Sequence, residues 1–512
     1  MPAYVIGVDI GTYSAKGVLV NGKGAVVAES GVPYDLSMPR PGWAEHDADG
    51  IWWSALTSIT RRLLDTSGIE PSDIAAIGTS AIGITMLPLD AEGRPLRPSI
   101  LYGIDTRCWR EVDEIEAALG REAVFERCGK LSVQSLGPKL LWFKKHEPQL
   151  FEQTRSVVTA SSYLAFRLTG ELTIDRYSAR GFAPFFDRSA GVWSNWADEH
   201  VAPHTMLPRI ADTTEVVGQV TNEAAAATGL APGTPVIAGT TDAAAEALSA
   251  GVVDAGDTML MYGTTLFVIH VMDEPVSHPA LWSSTYLRPG SHTVAAGLAT
   301  SAALTRWFRD EFGHPERAVE ADGGADAYAG LAELAAQSPV GSRGLVALPY
   351  FSGERTPIND PHARGVIAGL TLSHKRADIY RALLEGVAYA LRHNLEVMAK
   401  AGGNAARLVA VGGGTKNTLW LQIVSDVLGK RQEVPSTTLG AAYGDAFMAA
   451  LAANVVPGWD TIREWVAIQR VIEPSAANHN TYEPYYRIFR DLYPETRDIQ
   501  HRLAVLGASP GA

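Results

Sequence analysis

At 512 residues the chain exceeds what a single hydrophobic core holds, since cores stop growing near about 250 to 300 residues, so two large domains are expected. Hydrophobic residues make up 46% and charged residues 19%, with 49 Gly and 29 Pro spread along the chain, which excludes a collagenous, disordered or low-complexity protein. The formal net charge of -13 argues against a nonspecific nucleic-acid binder, whose phosphate contacts need a basic face, yet leaves room for a small anion held by backbone N–H groups.

Met1 leads almost directly into "YVIGVDIG", without a basic n-region, an apolar h-region and a small-residue cleavage site. No run approaches the ~20 uninterrupted apolar residues of a membrane span. Cys108 and Cys128 lie far apart without metal-ligand spacing, which reads as packed thiols in a reducing compartment. A cytoplasmic enzyme is expected.

"YVIGVDIG" and "YSAKGVLVNGKGAVVAES" read as consecutive strands, with Asn21-Gly22 as a two-residue hairpin signal. "IWWSALTSITRRLL" has helical spacing, and "IAAIGTSAIGITMLPLD" returns to strand. "TPVIAGTTDAAAEALSAGVV" predicts a buried strand ending at Gly239 and a helix starting near Asp242. "TMLMYGTTLFVIHV" then repeats the opening pattern of strand, Gly-Thr and strand near the midpoint, where a duplicated α/β architecture would begin again. Farther on, "ADIYRALLEGVAYALRHNLEVM" reads as a long helix with Asp378 in its first turn, and "LVAVGGGTKNTLWLQIVSDVLG" as strand, Gly-rich turn and helix. The domains expected are 1–253 and 254–512, the second carrying a mixed terminal extension from about residue 457.

The chemistry falls at the punctuation. A strand that reverses at Gly11-Thr12 presents successive N–H groups and a hydroxyl with no Cβ in the way, which suits phosphate oxygens. Asp9, just before that turn, suits a Mg²⁺ ion that takes one or two carboxylates and keeps its other places for water and phosphate. A plain structural hairpin fits the same stretch equally well. Gly263, Thr264 and Thr265 offer a second set of donors. Gly412, Gly413 and Gly414 allow close approach to a ligand, and Asn417 suits an adenine edge or ribose; an ordinary structural turn is the competing reading.

Asp242 follows Gly-Thr-Thr at a strand end and opens a helix, at the sheet edge where α/β proteins bind ligands. Its local alternative is a helix-capping role; were Thr240 or Thr241 the cap, the carboxylate would be free to accept a hydroxyl proton in phosphoryl transfer. Walker A, GxGxxG and HExxH patterns are absent.

With these elements in order, the chain resembles the FGGY carbohydrate kinases of the actin and hexokinase superfamily, to about residue 455. "DIGT" is similar to the first phosphate motif, "GTTD" to the catalytic-base motif, "YGTT" to the second phosphate motif and "VGGGTKN" to the adenosine motif. "GERTPINDPHARGVIAGL" with "RALLEGVAYAL" resembles the family's C-terminal signature.

The resemblance implies an α/β fold of two RNase H-like domains with an interdomain active-site cleft, ATP held mainly by the second and the sugar by the first. It implies Asp242 as general base, Asp9 as the acid near Mg-ATP, and Gly11, Thr12, Gly263, Thr264, Thr265, Gly413 and Asn417 as nucleotide contacts. Trp43 in "PGWAEHD" and Asp105 and Arg107 in "DTR" become candidates for the sugar. Where xylulokinase-type members carry Gln-Met-His-Gly, this chain has Ser80, Ala81, Ile82 and Gly83, which makes Ala81 and Ile82 substrate-side candidates, and Ser162 stands where an Asp is common.

The expected function is ATP- and Mg²⁺-dependent phosphorylation of a small sugar, a pentulose such as xylulose or ribulose first. Another polyol or sugar acid and a non-kinase nucleotide switch are the alternatives. The expected partners are a small sugar or polyol and a second copy of the chain in a homodimer, with no nucleic acid and no membrane.

Overall fold

The computed structural model describes residues 3–436 and 439–507. The chain divides into two compact units, Met1–Val253 with Ser284–Ser291 and Leu439–Ala467, and Asp254–Ser283 with His292–Thr438 and Ile468–Ala512. The stretch beyond residue 457 is therefore shared, first unit to Ala467 and second unit from Ile468 onward.

In the first unit, the strands Tyr4–Ile10, Ser14–Asn21 and Val26–Pro33 form an antiparallel meander. The turn at Asn21 runs over four residues rather than the two that Asn-Gly suggests, because Asn21 Oδ1 accepts the N–H groups of Lys23 and Ala25 and so supports a longer loop. The first strand also pairs in parallel with Ile74–Ala81, which in turn pairs with Pro235–Ile237 and, farther along, with Thr240–Thr241. Parallel central strands are covered on both faces, and their residues are accordingly apolar on both: Val5, Ile6, Val8 and Ile10 are all buried. The Ser54–Ser67 helix covers the meander with Leu56, Ile59 and Leu63 and ends at Gly68 in the left-handed conformation.

The second unit repeats the plan. Asp257–Tyr262 is antiparallel to Leu266–Met272, which pairs with His292–Leu298, and on its other side runs parallel to Arg407–Val411. Gln432–Pro435 and Ile468–Ile472 extend the sheet. The Arg376–Lys400 helix crosses the core of this unit, with Asp378 accepting the Lys375 N–H at its start. The terminal helix Ala476–Gly507 docks through Tyr482, Tyr486 and Phe489, and the Tyr482 hydroxyl donates to Glu385 at 2.9 Å.

The packing that matters most to the site is that of the Ala441–Ala452 helix on the first unit's sheet. A Cβ on Gly7 would stand 1.9 Å from the Ala442 carbonyl oxygen, and one on Gly78 would stand 2.5 Å from that of Asp445. Backbone meets backbone there. Gly7→Ala should therefore cost about 3 kcal/mol and lower Tm by about 5 to 10 °C. An unchanged melting curve would mean that helix and strand are not in such contact.

Candidate active site

Asp9, Lys16 and Ser80 are cross-strand partners, so their side chains leave the same face of the first unit's sheet. Thr240 is the parallel partner of Ser80 on the other side, and Asp242 begins the Asp242–Ser249 helix two residues later. Glu246 follows one helical turn on, on the same side of that helix. From behind, the Ala441–Ala452 helix brings Asp445, and Ser80 Oγ lies 2.9 Å from Asp9 Oδ1 and 2.7 Å from Asp445 Oδ2. Four carboxylates thus gather on one set of strand ends. Ser80 and Asp445 are wholly buried, whereas Asp9, Asp242 and Glu246 are half-buried and reach the surface of the unit.

Crowding of this kind penalises the charged forms. Burial, and then the charge of Asp242, raise the Asp9 carboxyl well above its ordinary range, and burial followed by the Asp9 charge does the same to Asp445. Burial pushes Asp242 up to about 7, against a hydrogen bond from the Ala243 N–H at 2.7 Å. Glu246 is raised by burial and held back by the Lys16 ammonium, which also favours the charged form of Asp9.

Neither threonine caps the helix as the sequence suggests. Thr241, at the cap position, makes no side-chain cap bond, and the Thr240 hydroxyl donates to Asp175 Oδ2 at 2.9 Å. Asp242 is the first helical residue and takes a single N–H, which leaves acceptor capacity for a substrate hydroxyl.

At the first turn, the Gly11 N–H donates to the Ser14 carbonyl at 3.0 Å, Tyr34 donates to the Gly11 carbonyl at 2.7 Å, and the Thr12 hydroxyl lies 3.1 Å from that of Tyr102. Ala81 and Ile82 are buried, with Ile82 in the core and its N–H bonded to the Ile10 carbonyl. The next residue, Gly83, lies so close to Thr241 that a Cβ would stand 2.4 Å from its methyl, so the Ala81–Gly83 segment runs alongside the strand end that leads into Asp242.

Trp43, Asp105 and Arg107 do come together. The Arg107 guanidinium stacks 3.9 Å over the Trp43 ring, bonds Asp105 at 2.6 Å and bonds Glu45 at 2.8 Å, while Asp105 also accepts the Ala44 N–H. Their polar atoms are largely spent on one another.

In the second unit, the Gly263 N–H donates to the Thr265 carbonyl at 3.1 Å, closing the second turn. The N–H groups of Ala302 and Ala303 donate to the carbonyls of Gly263 and Thr264, which sets that turn on the N-terminus of the Ala302–Phe312 helix. Gly412, at φ 89°, and Gly414 pack against Tyr262, where a Cβ on either would come within 2.8 Å. Gly412, Gly413 and Gly414 and the Gly263–Thr265 turn therefore follow the ends of two adjacent parallel strands. Asn417 caps the following helix through Oδ1, accepting the Trp420 N–H at 3.0 Å, and keeps its Nδ2 donors.

Sequence reasoning missed Glu246 and Asp445 and left the direction of Lys16 open. Glu246 was legible as the i+4 neighbour of Asp242. Asp445 carried a signal too, as a lone acid within "GAAYGDAFMAALA".

The sequence matches the FGGY family of carbohydrate kinases, N-terminal domain, over residues 4–249 and the C-terminal domain of the same family over residues 258–453. The chain belongs to the FGGY family of carbohydrate kinases. The xylulose kinase of Escherichia coli is 32% identical to this family member over 495 residues, covering 96% of this chain and 98% of the relative. A gluconokinase of Bacillus subtilis is 27% identical over 516 residues, 98% of this chain and 99% of the relative. The crystal structure of xylulose kinase from Rhodospirillum rubrum superposes with a TM-score of 0.89 at 36% identity, over 97% of this chain and 100% of that one. This FGGY kinase is thus a phosphotransferase that moves a phosphoryl group from ATP to a hydroxyl of a small sugar. No described helix is long and apolar enough to cross a membrane.

The raised Asp242 carboxyl has a consequence for stability. The folded chain keeps a proton there up to about pH 7, whereas an unfolded Asp releases it near pH ~4, so this group's contribution to stability falls as pH rises across that window. Asp242→Asn should raise Tm by roughly 2 to 5 °C at about pH 8, with the gain vanishing near pH ~4. A gain independent of pH, measured by calorimetry, would contradict the raised carboxyl.

Proposed function

We propose that this enzyme phosphorylates a ketopentose, xylulose first, with Asp242 as the proton acceptor. The observation that carries the catalytic assignment is the seating of Asp242 beside Asp9 on one set of strand ends, half-buried and tuned to about 7. A base poised near the working pH accepts a hydroxyl proton while a substantial share of it is ionised. The acceptor oxygen bonds to the γ-phosphorus as the bond from that phosphorus to the bridging oxygen of the ADP leaving group breaks, and the hydroxyl proton passes to Asp242 Oδ2. The transition state is loose, so positioning and charge stabilisation matter more than a strong base.

In this reading Thr12, Thr264 and Thr265 supply N–H and hydroxyl donors to the phosphates, while the Gly11 and Gly263 N–H groups close the turns that present them. The Ala302–Phe312 helix adds its positive end, and Gly412, Gly413, Gly414 and Asn417 receive the adenosine. Among the described residues no group of three or more His, Cys, Asp or Glu side chains is arranged to hold a metal ion. The few carboxylates that do gather fit Mg²⁺ arriving with the nucleotide, since that ion needs only one or two protein oxygens, and Asp9 is the one assigned to it. The ion supplies neutralisation of developing phosphate charge. Free buried thiols at Cys108 and Cys128 fit a cytoplasmic setting.

The substrate assignment is supported by the xylulose kinases among the relatives. A sugar acid is the second reading, favoured by the gluconokinase relative. ADP release coupled to a panel of xylulose, ribulose, gluconate, glycerol and erythritol, with the phosphorylated product identified by mass spectrometry, separates the two. Turnover on ketopentoses alone is expected; turnover on gluconate alone would replace the first reading.

Asp242→Asn should lose roughly 10² to 10⁴ in turnover while retaining ADP affinity, and the wild-type kcat/KM should fall below about pH 7 as Asp242 takes up its proton. Near-normal turnover in the variant would remove Asp242 from the mechanism.

A further inference from the structure

We propose that Asp445, acting through Ser80, is a positioning residue for Asp9, its hydrogen bond to Ser80 turning the Ser80 O–H toward Asp9. The inference rests on the assignment of Asp9 to the metal-nucleotide, and on the following geometry.

Ser80 Oγ stands within hydrogen-bond distance of two carboxyl groups, 2.9 Å from Asp9 and 2.7 Å from Asp445. A hydroxyl carries one hydrogen, so it can donate to only one of them; a second bond exists only if the other acid brings a hydrogen of its own. Exposure decides between the two. Asp445 is wholly buried with its Oδ1 lacking any partner, whereas Asp9 is half-buried with Lys16 opposite it. An unpaired carbonyl-like oxygen costs less in such a place than an unpaired carboxylate oxygen.

The bonds therefore run from the Asp445 O–H to Ser80 Oγ, and from the Ser80 O–H to Asp9 Oδ1. One Asp9 oxygen is thereby fixed by Ser80 and the other is available to a cation.

The pair is also rigid. Ser80 is held in the central strand, and Asp445 sits on a helix whose backbone touches Gly7 and Gly78 and, through Gly444, approaches Ala245, where a Cβ would stand 2.2 Å from the carbonyl oxygen. That last contact joins the Asp445 helix to the helix headed by Asp242. One element thus aligns the metal-side acid and the base together.

The role belongs to the outer shell of a cation site, where loss of a supporting hydrogen bond typically costs about 10 to 100-fold in metal affinity. The full-length enzyme and its Ser80→Ala, Asp445→Ala and Asp445→Asn variants should be titrated with Mn²⁺ in the presence of ADP and followed by EPR. The apparent KM for Mg²⁺, the sugar KM and kcat should be measured in parallel. Ser80→Ala and Asp445→Ala should each weaken Mn²⁺ binding by about tenfold or more and lower kcat while leaving the sugar KM within about twofold. Asp445→Asn, whose amide N–H can donate to Ser80 as the acid does, should bind Mn²⁺ within about threefold of wild type.

Wild-type Mn²⁺ binding in Ser80→Ala would overturn the proposal, and so would an Asp445→Asn variant that folds yet binds as weakly as the alanine variant. Should Asp445→Ala fail to fold, the other two variants decide the question. Because the EPR titration needs no sugar, it remains decisive even if the ketopentose reading fails.

Discussion

Like charges held close together in a partly desolvated place are the constraint on which the rest of the first unit depends. Asp9, Asp242, Glu246 and Asp445 share one set of strand ends, and each carboxyl is raised chiefly by burial, with Asp242 and Asp9 adding charge to their neighbours. Such an arrangement is destabilising in itself. It persists because backbone contacts too close for any Cβ, at Gly7, Gly78 and Gly444, fix the helix and strands that carry it. The strain has a use. An aspartate alone at a helix N-terminus would titrate low and make a poor proton acceptor, whereas one raised to about 7 is matched to the reaction.

The second unit addresses the opposite electrostatic problem, a site for an anion in a chain of net charge -13. In the reading proposed above, the Gly263–Thr265 turn, braced by the N–H groups of Ala302 and Ala303, meets the phosphates in place of a cluster of basic side chains. Glu354 accepts the N–H groups of Ala299 and Arg355, which braces the loop ahead of the Ala302–Phe312 helix, and burial pushes its carboxyl up to about 8. At neutral pH it braces that loop without adding negative charge beside the turn.

What could be read from the sequence was whatever sits at punctuation. Asp9, Gly11, Thr12, Asp242, Gly263 and Gly412 all lie where a strand stops, and Gly-Thr or Gly-Gly at a strand end is visible locally. The repeated hairpin was visible for the same reason, and each unit is built on it. Asp445 was not placed, because its partner Ser80 is 365 residues away and the contact exists only once a helix has docked. Nor could the sequence say that Asp105 and Arg107 would bond each other; "DTR" fits a pair facing substrate as well as a pair facing inward. Residue type at short spacing gives candidates, and burial decides which of their atoms are still free.

That distinction bears on how the enzyme tells one sugar from another. A site rejects an analogue strongly only where its own polar atoms would be left unpaired by the wrong ligand. Ala81 and Ile82 have no polar side-chain atoms, and the polar atoms of Asp105 and Arg107 are largely satisfied within the protein. Asp242 itself keeps acceptor capacity beyond its single bond from the Ala243 N–H, and the main chain that Gly83 holds against Thr241 runs beside it. Main-chain groups read the position of a hydroxyl by where the backbone runs. If the 81–84 segment faces the sugar, as the substrate-side candidacy of Ala81 and Ile82 would have it, its path would bear on selectivity more than the side chains it carries, and the close contact of Gly83 with Thr241 holds that path in place.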